Sequence, residues 1–379
     1  MLLWFSRLRS VDGLRQPIRG FGRLWLASLL CFSAFYGGTQ ALARVLRDGG
    51  YLPGEVGLVL GAFGAAALLA RPLAGWLSDR VAPRWILGGG ALALAVGLGG
   101  LAWATTTASL MALRVLQALG YAAFTTAGTT VVAGLGPAVN RAGRMARYGM
   151  AANVAMALAP AVLSAGLPAD APGFAIGLGL VALLAGLSAQ IPGSADGQRP
   201  DRRVAWSAVI RSIGAGPWGL AVGVGLGFGV FLNYAPLLTD PATDVLFGAY
   251  GVTILAARIL GGRWLDRTPL APVVRWGGAG LVLGMVELAL GGPHALVGAA
   301  LIGAAGGVLH PAALAAAIQR APTTPGQATG WSYFGFDLGL TLSGWALGPA
   351  LGLGGPAAVF GVAAGALALV IIGIGGKHA

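Results

Sequence analysis

The sequence predicts an all-α integral membrane protein of twelve transmembrane helices, arranged as two pseudo-symmetric six-helix halves. Three observations carry this: scarcity of charge, a succession of apolar runs each long enough to cross a bilayer, and an internal repeat with six of those runs between its copies. Hydrophobic residues fill 56% of the 379 positions, glycine supplies 66 more residues, and charged side chains make up only 9%. A soluble domain carries roughly a quarter charged residues. The polar surface is therefore too small to face water, which excludes a soluble enzyme. Disorder fails for the opposite reason, and the glycines lack the three-residue period of collagen.

A helix needs about 20 mainly apolar residues to cross the hydrocarbon. Runs of that length, bounded by Arg, Pro, Asp or Gly clusters, lie at 23–46, 55–77, 84–104, 108–136, 144–167, 171–192, 212–238, 243–265, 270–291, 293–319, 326–353 and 356–376. Segment 1–22 alternates apolar residues with Arg7, Arg9, Arg15 and Arg19 and reads as a cytoplasmic arm. It lacks the apolar core and cleavage site of a signal peptide. The longest polar stretch, Pro192 to Arg203, follows the sixth run. It divides the chain into an N-terminal bundle (23–192), a cytoplasmic linker (193–211) and a C-terminal bundle (212–379).

The net charge of +12 suits topology better than nucleic acid, which is not expected as a partner. With the N-terminus inside, Arg80, Arg84, Arg141, Arg144, Arg147, Arg199, Arg202, Arg203, Arg211, Arg263, Arg267, Arg275, Arg320 and Lys377 all fall in inner segments. Only Arg44 and Arg47 fall in an outer loop, with Asp48, Glu55, Asp170, Asp240 and Asp244. Both termini are thus expected in the cytoplasm. The lone cysteine, Cys31, cannot form an internal disulfide.

Gly61–Arg80 (GAFGAAALLARPLAGWLSDR) aligns with Gly248–Arg267 (GAYGVTILAARILGGRWLDR) at ten of twenty positions. The shared R-x3-G-x3-D-R places Arg71, Gly75, Asp79 and Arg80 opposite Arg258, Gly262, Asp266 and Arg267. An even number of spans lies between the copies, so they point the same way across the membrane, as in parallel halves related by an axis along the membrane normal. Spacing of four residues stacks Arg71, Gly75 and Asp79 on one helix face, where the glycine permits a close helix approach.

These residues resemble the major facilitator superfamily of secondary transporters. Gly75-Trp-Leu-Ser-Asp79-Arg80-Val-Ala-Pro-Arg84 is similar to its G-x3-D-R-x-G-R-R signature, with Ala82 and Pro83 replacing a glycine and a basic residue. Arg114-Val-Leu-Gln117-Ala-Leu-Gly120 resembles its fourth-helix R-x2-Q-G-x-G, with Ala118 for the first glycine. The resemblance implies that Asp79 docks on the start of helix eleven and Asp266 on the start of helix five, latches that hold the cytoplasmic side closed; a solvated loop aspartate is the alternative. It also implies that Arg114 lines the cavity or helps proton transfer.

Ionisable groups inside a span are costly and point to function. Asp337, in Trp331-Ser-Tyr333-Phe-Gly335-Phe-Asp337-Leu-Gly339, falls near mid-membrane, where it reads as a proton carrier or substrate site, or as half of a static pair with Arg114 or another buried base. His310, in Gly306-Gly-Val-Leu-His310-Pro311, is a second candidate for proton coupling or a packing residue. Glu287 lies near the outer end of the ninth span, where it could snorkel. Polar and aromatic cavity candidates are Tyr36 and Gln40, Gln117 and Tyr121, Asn153, Asn233 and Tyr234, and Trp331 and Tyr333. Rings with few polar groups suit an amphipathic organic molecule.

Gly335-x8-Gly344-x3-Gly348-Pro349-x2-Gly352 resembles the antiporter pattern of the family, though on the eleventh span rather than the fifth. The fifth reads Ala146-x8-Ala155-x3-Ala159-Pro160-x2-Leu163. Gly177-Leu-Gly179-Leu-Val-Ala182 matches a relaxed dinucleotide fingerprint but sits in a span without the βαβ context, and reads as helix packing. No pattern for a metal, a cofactor or an enzyme nucleophile occurs. The expectation is a monomeric alternating-access transporter in a bacterial-type inner membrane, with protons, the lipid bilayer and a small-molecule substrate as partners. Proton-coupled export of an amphipathic compound leads, proton-linked uptake follows, and a non-transporting receptor or scaffold is the alternative of another class.

Overall fold

The computed structural model describes residues 12–164, 172–189, 204–238 and 241–375. Among these are thirteen α-helices and no strand: α1 (Asp12–Asp48), α2 (Pro53–Ser78), α3 (Pro83–Gly99), α4 (Thr107–Gly134), α5 (Arg141–Ser164), α6 (Pro172–Ser188), α7 (Trp206–Ile213), α8 (Ala215–Tyr234), α9 (Thr243–Arg267), α10 (Leu270–Leu290), α11 (Pro293–Arg320), α12 (Pro325–Trp345) and α13 (Gly348–Gly375). Eight are long and apolar enough to cross a bilayer. Of the rest, α7 is short, α1 and α5 carry arginines, α6 is short as described, and α12 is diluted by Gln, Thr, Ser and Asp side chains. Leu69, Trp85, Trp103, Val252, Leu260, Trp276 and Leu369 stand exposed on the outer faces. Large apolar side chains pointing outward fit lipid as the solvent.

Local chemistry starts and stops these helices. Pro53, Pro83, Pro293 and Pro325 open α2, α3, α11 and α12, where a missing N–H costs nothing. Thr106 caps α4 by accepting from Ser109 N. At the other end of α4, the Arg144 guanidinium donates to the carbonyls of Val132, Ala133, Gly136 and Pro137, satisfying acceptors that a helix C-terminus leaves open. Gly214, with φ 72°, breaks the chain between α7 and α8. Arg320 donates to Ile213 O, and Ser212 Oγ donates to Arg320 O, so α7 is pinned to the end of α11.

Each half has its own core. Leu24, Cys31, Leu87, Leu94, Leu98, Phe124 and Tyr148 pack together in the first, and Val224, Phe231, Leu246, Tyr250, Leu281, Met285 and Phe360 in the second. The halves meet where α2 packs on α12 and α5 on α9, with smaller contacts of α5 on α11 and α4 on α12. These pairings follow the sequence repeat, since α2 corresponds to α9 and α12 to α5. A mixed apolar cluster of Ala133, Met145, Ile213, Leu314, Ile318 and Ala328 joins the halves at the arginine-rich end. The cluster at the opposite end, Leu42, Leu46, Val59 and Leu110, belongs to the first half alone.

Three expectations need correction or comment. The eleventh span does not run to residue 353: α12 stops at Trp345, and α13 begins at Gly348 with Pro349 in its first turn. A kink at Gly354 and Gly355, where Gly355 adopts φ 66°, precedes Pro356, the expected start of the last span. Gly335 and Gly344 therefore lie on one helix and Gly348 and Gly352 on another, so the antiporter-like pattern is not a single helix face. The expected arm is continuous with the first span from Asp12 onward, while residues 1–11 lie outside the described residues, as does the polar stretch Pro192 to Arg203.

Candidate functional site

The α2–α12 crossing sets the geometry. Pro325 opens α12 without an N–H, so Gly326 and Gln327 carry its first free donors. Both go to Asp79, to Oδ1 at 2.6 Å and Oδ2 at 2.8 Å. A carboxylate on a helix N-terminus is favoured by both the open N–H groups and the helix dipole. Asp79 is only 8% exposed, and this burial pushes its carboxyl up to about 6, opposed by the N–H groups of Gln327 and Gly326 and by Arg80. The helices touch through bare backbone: a β-carbon at Gly75 would lie 2.5 Å from Gly326 O, and one at Gly330 would lie 2.5 Å from Arg71 O. In the second copy, Asp266 Oδ1 accepts from Gly143 N at 2.8 Å near the start of α5.

Docking Asp79 on residues 326–327 fixes the register of two antiparallel helices. Eight residues back along α2 is about 12 Å, and ten residues forward along α12 is about 15 Å. These steps bring Arg71 and Asp337 to similar depth. Arg71 Nε donates to Asp337 Oδ2 at 2.8 Å, and Nη1 donates to Thr125 Oγ1 at 2.6 Å and Thr126 Oγ1 at 3.4 Å. Its guanidinium also lies 4.5 Å from the ring centre of Tyr333 and 5.4 Å from that of Tyr121. The ion pair joins the halves, with Arg71 4% and Asp337 15% exposed at the side chain. The sequence placed Arg71 with the signature stack and named Arg114 as a possible partner of Asp337; the partner is Arg71. Arg114 instead donates to Gln117 Oε1 and Thr39 Oγ1 and lies over the Phe63 ring.

Tyr36 and Tyr121 join Phe32, Phe35 and Phe63 in an aromatic cluster beside Arg71. Tyr333 shares a hydrogen bond of 2.9 Å with Thr129 across the halves. His310 is wedged between Tyr333 and Phe336, with ring centres 5.8 and 5.0 Å away. Gln117 is buried and bridges Arg114 to Gly97 O. Asn153 is buried, its Nδ2 without a partner among the described residues, and Gln40 is partly exposed on α1. Asn233 and Tyr234 bond to Ser343 and Gly344 within the second half. Trp331 stacks between Trp218 and Phe334, in the packing of α7, α8 and α12 rather than beside Arg71. Glu287 pairs with His294 at 2.7 Å near the opposite end. Arg80 lies over Trp76.

The distribution of contacts between the halves is asymmetric. Among the described residues, hydrogen bonds between them run from Arg71–Asp337, through Thr129–Tyr333, to the docked aspartates at the arginine-rich end. This end is closed. A separate apolar groove of about 400 Å³, lined by Leu69, Pro72, Leu73, Trp76 and Trp206, faces outward from α2 and lies apart from this cluster.

The sequence profile of the Major Facilitator Superfamily matches residues 24–293. No curated protein matches the sequence closely enough to count as a relative. Among solved structures, the human organic anion transporter MFSD10 (TETRAN) superposes with a TM-score of 0.73 at 19% identity, over 94% of this chain and 99% of that one. The E. coli fucose:proton symporter FucP gives 0.72 at 16% over 95% and 98%. The proton:xylose symporter XylE gives 0.78 at 15% over 94% of each chain. At these identities the likeness speaks for fold, and the profile speaks for descent. Together with the repeated R-x3-G-x3-D-R and the two bundles it sets facing each other, they establish that the chain belongs to the Major Facilitator Superfamily, a family of multi-pass secondary transporters.

Proposed function

We propose that the protein is a proton-coupled secondary transporter of a small organic compound, working by alternating access, in which the charge on Asp337 governs whether the two halves stay tied. The observation that carries this is the buried Arg71–Asp337 ion pair between the halves. A carboxylate at this depth persists in its charged form only with a partner. Protonating Asp337 removes the ionic half of the tie. Arg71 keeps Thr125, Thr126 and the two tyrosine faces, all but Tyr333 within its own half, so it stays placed while the bond across the halves weakens. Asp79 and Asp266 then act as the remaining latches. With the arginine-rich end cytoplasmic, in a bacterial-type inner membrane, the closed end faces inward and Asp337 takes its proton from the outer side.

The same tie serves either direction of substrate movement. Export keeps the support of the aromatic cluster, a surface for an amphipathic body, but no longer that of the small-residue pattern, which the break after Trp345 splits. A static scaffold has no use for latches built on releasable backbone contacts. The test is reconstitution in liposomes with a trapped pH dye and a panel of metabolites and cationic drugs. Wild type should show substrate-dependent proton flux and Asp337→Asn should not; flux surviving that substitution overturns the coupling role.

A further inference from the structure

The two halves repeat their arginine but not its carboxylate. In the first, the docked Asp79 sets a register that brings Arg71 to Asp337. In the second, Asp266 on Gly143 sets α9 antiparallel to α5; the place that matches Asp337, eleven residues on from the docked glycine, is Val154, and Arg258 itself lies against Gly149, so neither position offers a charge. A β-carbon at Gly149 would lie 2.8 Å from Arg258 Cζ, so the guanidinium rests on bare backbone of the opposite half. Arg258 is 6% exposed, its Nε has no hydrogen-bond partner, and it makes no hydrogen bond or ion pair among the described residues. Its electrostatic neighbours are Tyr36 on α1, Tyr250 on α9, His310 on α11 and Tyr333 on α12, with no carboxylate among them. Arg71, whose charge Asp337 already takes up, also acts on His310.

An uncompensated guanidinium is the costliest kind of buried group, and removing one partner of a buried pair is strongly destabilising. Structure alone gives no return for it here. A planar guanidinium with free N–H donors matches carboxylate and phosphate geometry. We infer that Arg258 holds the oxyanion head group, carboxylate or phosphate, of an organic anion whose apolar body lies on the neighbouring aromatic rings. The transported compound is then anionic rather than a cationic or neutral amphiphile. Assigning this binding to transport rests on the proposed function above; the site itself does not.

The experiment measures binding without transport. Protein in nanodiscs of zwitterionic phosphatidylcholine, where lipid supplies no net anion, is titrated with benzoate, phenyl phosphate, benzamide and benzylamine while its melting temperature is followed. The four probes share one ring and differ in head group, and the first two separate carboxylate from phosphate. Benzoate or phenyl phosphate should raise the melting temperature saturably, and the neutral and cationic probes should not. Arg258→Gln should weaken the anion by about thirtyfold or more, and Arg258→Lys should recover part of it. A ligand arginine also predicts that ligand-free Arg258→Gln melts no lower than wild type, since an unpaired buried charge has been removed; a packing arginine predicts a loss. Equal response to benzamide or benzylamine, undiminished anion binding in Arg258→Gln, or no response to either oxyanion overturns the assignment. None of these readings needs a proton gradient, so their failure leaves the Arg71–Asp337 coupling standing, and failure of the coupling appears only in the flux assay.

Discussion

Gly75 and Gly262 occupy the same place in the two repeat copies, yet the structure gives them different tolerance for a methyl group. At Gly75 an added β-carbon meets Gly326 O at 2.5 Å, Gly330 Cα at 3.1 Å and Gln327 Cα at 3.2 Å, all backbone atoms of α12. None can rotate away, so α2 and α12 must part by about half an ångström or more. At Gly262 the nearest atoms are Arg147 Nη1 at 3.5 Å and Gly143 Cα at 3.6 Å, ordinary contacts. Overpacking a tight contact costs about 1–3 kcal/mol. Because the strain exists only while the arginine-rich end is closed, it appears as a shift of about 5- to 150-fold toward the state open at that end. The assay is a spin-label distance between Val139 and Thr323, exposed positions on opposite halves at that end, in a Cys31→Ala background. Gly75→Ala should raise the long-distance population and Gly262→Ala should leave it near wild type. Equal behaviour of the two variants would refute the reasoning.

Asp79→Asn replaces one of the two oxygens that accept from Gly326 and Gln327 with an NH2 that faces a backbone donor, and the unmade pair costs about 1–3 kcal/mol; transport should slow while folding and insertion persist, which flux and size-exclusion measurements check. Gln327 is fully buried, and its side-chain Nε2 and Oε1 have no partners among the described residues. Gln327→Met removes an unsatisfied amide costing about 1–3 kcal/mol, so the Val139–Thr323 short-distance population should grow; a decrease would show that the amide has a partner in the closed state. In the Asp337→Asn background, the burial that raises Asp79 to about 6 makes the closed end bind a proton more tightly than the open end. Closure is therefore favoured below about pH 4 and that advantage is lost as pH rises through about 6. The short-distance fraction should fall over this window, and a rise with pH contradicts the sign.

The fold was legible because its signals are local or repeated. Composition excluded water as the outer solvent, run lengths placed the helices, and R-x3-G-x3-D-R related the halves. The break after Trp345 was missed because Ala346-Leu347-Gly348-Pro349 is as apolar as a span, and only the helix-opening preference of proline distinguishes it. Asp337 was visible as an isolated charge. Its partner lies 266 residues away in sequence and was masked by the signature to which Arg71 also belongs. Counting outward from Asp79 on the start of α12 would have found it, as would noticing that the same count from Asp266 leads Arg258 to no acid. Trp331 shows the converse limit: an aromatic on a central helix can face its own half, and sequence spacing does not say which way.

The central claim is that the negative charge on Asp337 ties the two halves together and so keeps the arginine-rich end closed. The most direct measurement is the Val139–Thr323 spin-label distance at pH 7 in wild type and Asp337→Asn, a substitution that keeps shape and mimics the protonated state. Breaking a buried pair costs about 3–5 kcal/mol, so the account predicts that the short distance dominates in wild type and the long distance in Asp337→Asn. Superimposable distance distributions for the two proteins would contradict it.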